Sequence, residues 1–108
     1  MANTFKLATK ASVGVTTVGI YTAPMSTTST VIGITLANVS GSGINVTVGI
    51  ARSVSDDVSI LKNVPIPQGS TLEVMQGNKI VLQQDDSLTA KSDVTGSLDV
   101  AITLLEMT

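Results

Sequence analysis

Ile44-Asn-Val-Thr-Val-Gly-Ile-Ala51 switches between aliphatic and small or polar residues at every step. Ile44, Val46, Val48 and Ile50 point one way; Asn45, Thr47, Gly49 and Ala51 point the other. A period of two held this long belongs to a half-buried β-strand, not to a helix, whose apolar positions recur every three or four residues. Just upstream, Thr30-Val-Ile-Gly-Ile-Thr-Leu-Ala37 is apolar on both faces. Val31, Gly33, Thr35 and Ala37 fall on one side, and Ile32, Ile34 and Leu36 on the other. Such a strand is central in a sandwich or covered on its second face by something else. Asn38-Val-Ser-Gly-Ser-Gly43 lies between the two, rich in turn-forming residues. The direct reading pairs the two strands as a hairpin with a loop longer than the tightest turns.

The same period runs through the rest of the chain. Thr4–Thr9 reads as an edge strand, with Phe5 and Leu7 on one face and Lys6 and Lys10 discouraging edge pairing. Thr16–Thr22 places Val18, Ile20 and Thr22 together and Tyr21 opposite, and Pro24 ends the run. Ser53–Asp57 is a polar loop, and Val58–Val64 a further strand with Val58, Ile60 and Leu61 inward. Pro65-Ile-Pro67-Gln-Gly69-Ser70 stops it and makes a rigid crossover. Thr71–Met75 and Lys79–Gln83 flank the short turn Gln76–Lys79 and read as the clearest hairpin in the chain. Ser87–Ser92 alternates weakly, and Ser97–Met107 closes with Leu98, Val100, Ile102 and Leu104 inward. About eight or nine strands at spacings of about 8–12 residues point to two antiparallel sheets in a β-sandwich, with the jelly roll among the fitting topologies. No linker divides residues 1–108, which read as a single β-sandwich domain.

Histidine, cysteine and tryptophan are absent. Acyl-transfer triads that need them and zinc sites are therefore excluded, and the core must be built from Val, Ile and Leu. The adjacent pairs Asp56-Asp57 and Asp85-Asp86 fall in predicted turns, where Asp bonds its own backbone. Adjacent residues of an extended chain point apart, so neither pair is built to share a proton. A Ser-Lys or paired-carboxylate enzyme stays formally open but has no supporting spacing, and weak calcium ligation by Asp56, Asp57, Asp85 or Asp86 is the other chemistry left, although Asp-x-Asp-x-Asp spacing is absent. Gly41-Ser-Gly43 lacks the lysine and helix of a phosphate loop. No catalytic residue, metal site or cofactor is expected. Lys6, Lys10, Arg52, Lys62, Lys79 and Lys91 are scattered singly, and the net charge is -2, so neither nucleic acid nor an anionic membrane is an expected partner. Phe5 and Tyr21 are too few for a sugar-binding aromatic platform and are read as core or interface packing. The first residues lack the basic start and apolar stretch of a secretory signal, so assembly in a cytoplasm is expected.

Charged residues make up only 13% of the chain, about half the usual share of ~25%. A chain so short of charge is expected to bury extra surface between subunits. The candidate contact residues are Val31, Gly33, Thr35 and Ala37 on the two-faced strand and Ala101, Thr103 and Leu105 on the back of the last one. A homo-oligomer is expected, with a homotrimer favoured.

Val64-Pro-Ile-Pro-Gln-Gly-Ser-Thr-Leu-Glu-Val74, Lys79-Ile-Val-Leu-Gln-Gln-Asp-Asp-Ser-Leu88 and Ser97-Leu-Asp-Val-Ala-Ile-Thr-Leu-Leu-Glu106 resemble segments of small all-β virion structural proteins of tailed bacteriophages, including cyanophages. Ile20-Tyr-Thr-Ala-Pro24 and Val31-Ile-Gly-Ile-Thr-Leu-Ala-Asn38 fit the same pattern, which covers roughly Thr4 to Met107. One departure is Asp85-Asp86, where a Gly-Asp turn is expected. The resemblance implies a non-enzymatic virion component assembled in the host cytoplasm. Its first-choice role is a capsid decoration, or cement, protein bridging subunits of the major capsid protein. A neck, tail or baseplate component is the alternative, and a carbohydrate or host-surface binding module a more remote one.

Overall fold

The computed structural model describes residues 3–52, 56–74 and 79–108. Within them the chain forms β1 (Asn3–Val13), β2 (Val18–Thr22), β3 (Thr28–Asn38), β4 (Ile44–Ala51), β5 (Val58–Ile66), β6 (Thr71–Glu73), β7 (Ile80–Leu82), β8 (Ser87–Ser92) and β9 (Leu98–Met107). No helix forms there, so none is long and apolar enough to cross a membrane. One sheet runs β1-β9-β3-β6, with β7 also on β3; the other runs β2-β8-β4-β5. Every pairing is antiparallel. β6 and β7 lie end to end along β3, opposite Thr35–Ala37 and Ser29–Val31. Taken as two halves of one broken edge strand, they give the interleaved strand order of a jelly roll.

Two expected hairpins do not form. β3 and β4 belong to different sheets, so the loop at 39–43 crosses the sandwich instead of turning back. The device at this corner is Asn38, which is 4% exposed. Its Nδ2 donates to the carbonyls of Ser42 (2.8 Å) and Ile66 (3.0 Å), and its Oδ1 accepts from the Ser40 amide (2.9 Å) and hydroxyl (2.8 Å). Likewise β6 does not pair with β7, since both pair with β3. The turn expected at Gln76–Lys79 lies largely outside the described residues, as does part of the Ser53–Asp57 loop. β5 also runs past its expected stop, carrying Pro65 within the strand opposite Asn45. A sheet edge tolerates proline, because the missing donor faces away from the ladder. The crossover is made instead at 67–70, where Gly69 takes φ 71° and the Ser70 amide bonds the Pro67 carbonyl at 3.1 Å.

The core is aliphatic, as the composition requires. Leu98, Val100, Ile102 and Leu104 of β9 face Ile44, Val46 and Val48 of β4 and Leu88 and Ala90 of β8, all buried. Two bulges invert the alternation read from the sequence. In β3 the register shifts between Val31 and Gly33. Val31 thus points into the core beside Ile34 and Leu36, while Ile32 is pushed outward and is 37% exposed. In β2 the register shifts between Gly19 and Tyr21, so Tyr21, opposite Leu88, shares the inner face with Val18, opposite Ala90. A bulge sets two residues against one, which swaps the face of everything beyond it. Val58, expected inward, is 51% exposed, and Leu61 and Val64 take the positions opposite Val48 and Val46.

Candidate partner-binding face

Residues directly opposed in an antiparallel pair share a face. On the outer side of the β1-β9-β3 sheet this rule builds three rows. The first is Thr9, Ala101, Thr35 and Glu73; the second is Leu7, Thr103 and Gly33; the third is Phe5, Leu105, Thr30 and Val81. Phe5 is 74% exposed, Leu7 66% and Val81 56%, and the bulged Ile32 lies on the same side. Large apolar residues that are singly exposed need no explanation, but a set contiguous on one sheet face does. Toward Ala37 the face dips into a shallow depression of about 260 Å³ lined by Thr9, Lys10, Ala11, Thr35, Ala37, Asp99, Val100 and Ala101. Each of the two carboxylates on this outer face, Asp99 and Glu73, accepts a hydrogen bond within the chain. Asp99 Oδ1 accepts the Ser12 amide at 2.9 Å, and Glu73 Oε1 accepts the Thr35 hydroxyl at 2.8 Å.

Six of the seven sequence-selected contact positions come together here: Gly33, Thr35, Ala37, Ala101, Thr103 and Leu105. The seventh, Val31, is a fully buried core residue because of the bulge. Leu7, Ile32 and Val81 lie outside that set, and Phe5 enters the sequence reading only as core or interface packing. Phe5 and Leu7 carried a signal, two apolar residues on one face of an edge strand, but only the pairing of β1 with β9 places them beside Leu105.

The outer face of the other sheet is different in kind. A groove of about 380 Å³ there is lined by Thr17, Thr47, Thr89, Asn63, Lys62 and Lys91, among others. Gly49 allows β5 to close over it, since a Cβ at that position would sit 2.7 Å from the Val58 carbonyl.

The remaining polar residues work as fasteners. Tyr21 crosses between the sheets, its hydroxyl donating to Glu106 Oε2 at 2.5 Å and bonding the Ser29 hydroxyl at 2.7 Å. Burial, reinforced by the hydrogen bond to Glu106, pushes the phenol up to about 12. The Tyr21 hydroxyl, with help from Lys6, in turn holds the Glu106 carboxyl below the usual range. Phe5 and Tyr21 thus lie on opposite sides of their sheets and make no shared platform. Asp86, 2% exposed, pairs with Arg52 Nε at 3.3 Å and accepts the Gln83 amide at 3.0 Å, closing its own turn. Asp85 stands there at φ 68°, the left-handed region where the expected glycine would be at ease and where Asp is better tolerated than most residues. Asp57 accepts the Arg52 amide at 3.0 Å. Among the described residues no three acidic side chains converge as a metal site would need.

Neither a protein-family model nor a curated protein matches the chain. The fold itself recurs in solved structures. It is similar to that of a subunit of Bacillus endospore appendages, a family of disulfide-linked pili, at 13% identity and a TM-score of 0.59, over 99% of this chain and 87% of that one. It is also similar to a chain of the acid-stable capsid of the Helicobacter pylori bacteriophage KHP30, at 10% identity and a TM-score of 0.61, over 99% of this chain and 89% of that one. At these identities the likeness is one of fold, and both of those proteins are parts of structural assemblies.

Proposed function

We propose that this chain is a non-enzymatic structural subunit of a tailed-phage virion, and within it a capsid decoration, or cement, protein that bridges subunits of the major capsid protein. The observation that carries the reading is the outer face of the β1-β9-β3 sheet, where Phe5, Leu7, Val81 and Leu105 stand together and both carboxylates are already bonded. Exposed apolar residues gathered on one face are stabilised by being covered by another protein. The sequence resemblance and the capsid and pilus neighbours support the same class of role. The pili are disulfide-linked, but this chain has no cysteine, so its copies would cohere through packing and main-chain bonds alone.

Electron cryomicroscopy of the intact particle tests the proposal. Density for this fold on the outside of the shell at subunit junctions, apolar face down, is the expected result. The same map gives the number of copies per junction, three on the sequence-based expectation. Density confined to the neck, tail or baseplate would move the protein to the alternative role, and absence from purified particles would overturn the virion reading.

A further inference from the structure

We propose that the free edge of β1 is a self-association site, at which a second copy of this chain adds antiparallel across a two-fold axis and fuses two sheets into one. An open edge strand is a template for another strand, and folded chains normally block it. Three of the four edges here are blocked. β2 is five residues long and bulged. β5 carries Pro65, a left-handed Asn63 at φ 53° and two register shifts against β4. β6 and β7 contribute three residues each and are separated along β3. β1 alone keeps an unbroken register, from Asn3 opposite Met107 to Lys10 opposite Val100, with no strand on its other side among the described residues. That run offers about 26 Å of unpaired backbone at the usual rise of about 3.3 Å per residue.

Its side chains fit a copy of themselves. A two-fold axis at Lys6 sets Phe5 opposite Leu7 of the partner subunit on the outer face and Thr4 opposite Ala8 of the partner subunit on the inner one. Aromatic and aliphatic cross-strand neighbours of that kind stabilise a sheet. Phe5 and Leu7 are largely exposed in the single chain and gain most from it. Lys6 and Lys10 are expected to discourage edge pairing, but each Lys6 has Glu106 at 3.4 Å to offset its charge, and Lys10 stands at the far end of the run, away from the axis. With the other edges blocked, no further strand adds by this route, and the contact closes at two copies. The inference stands apart from the virion assignment, because it concerns the isolated chain, for which it replaces the expected homotrimer with a two-fold dimer.

The absence of native cysteine makes cross-linking clean. Lys6→Cys alone, and Phe5→Cys mixed with Leu7→Cys, are oxidised and compared with Lys62→Cys on the blocked β5 edge. One of the two β1 pairings must fall at a non-hydrogen-bonded position, where Cβ atoms are close enough for a disulfide. The expected result is roughly tenfold more covalent dimer than the control, with unmodified protein showing twice the monomer mass by light scattering at high micromolar concentration. A monomer mass, or an oligomer in which neither β1 pairing cross-links above the control, would overturn the inference.

Discussion

Replacing Asn38 by alanine should be among the most damaging single changes in this chain. The side chain is buried and makes four hydrogen bonds that tie the β3–β4 corner to the end of β5. A typical hydrogen bond contributes about 0.5–1.5 kcal/mol net, and a buried group left unpaired costs about 1–3 kcal/mol. Ser40 and Ser42 lie near the surface and can recruit water, so their bonds count at the low end. The Ile66 carbonyl sits in the one bond of the set that is buried, and it pays the larger penalty. The loss should come to about 2–4 kcal/mol, set against a total of about 5–15 kcal/mol for a domain. At about 2.1 cal/mol/K of unfolding entropy per residue this lowers Tm by roughly 8–18 °C. Urea unfolding with an unchanged m-value is the assay. Asn38→Asp is the control: it keeps the acceptor for Ser40, removes both donors and adds a charge, and should be at least as damaging. A loss below about 1 kcal/mol for Asn38→Ala, or a neutral Asn38→Asp, would refute the claim that the amide holds the corner.

Other expectations are more local. Val31→Ala should cost ~2 kcal/mol and Ile32→Ala less than ~1 kcal/mol by denaturant unfolding, the reverse of what unbroken alternation implies. Tyr21 is the only tyrosine, so phenolate absorbance titrates it directly; its midpoint should lie near 12, against 10.0 for the ordinary group. Because the folded value is raised, the associated stability is whole below pH 10.0, falls as pH rises toward about 12, and should not fall so in Tyr21→Phe. Glu106 runs the other way: its folded value is depressed, so its contribution is present above the ordinary carboxylate range and lost as pH drops through the folded value. Gly49→Ala, with its Cβ driven against the Val58 carbonyl, should destabilise by about 1–3 kcal/mol and raise hydrogen exchange between β4 and β5. Phe5→Asp should leave the chain's own unfolding within about 0.5 kcal/mol yet abolish co-sedimentation with empty shells.

What could be read before folding was the strand content, the aliphatic core and the inward sets of β4 and β9, because each depends only on a local period of two. What could not be read was long-range. In this topology most connections change sheets, so strands adjacent in sequence are usually not hydrogen-bonded, and the expected β3–β4 hairpin becomes a corner held by Asn38. β6 and β7 looked like a hairpin because two short alternating runs flank a Gly-Asn turn signal, yet β3 is long enough to pair with both. The bulges at Ile20 and Ile32 have no local signature, since β-branched residues suit either face. Only register against β8 and β9 shows which way each one points.

The bulge in β3 also bears on what the subunit can do. By turning Val31 inward and Ile32 outward, it lets one strand serve the core at both ends and still add to the apolar outer face. One outer face exposes Phe5, Leu7, Ile32 and Val81 among threonines and two bonded carboxylates, and the other holds a groove where Ile50, Ala51 and Val58 stand among Thr17, Thr47, Thr89, Asp57, Lys62 and Lys91. A subunit adhesive on both broad faces would stack head to tail into an open filament. In the proposed role, a subunit with its large exposed apolar residues gathered on one face would settle on a shell by that side and stop there. A coat over a shell would use such an arrangement, and the proposed β1 contact lies at the edge of that same sheet, where it would join neighbours side by side without covering the opposite face.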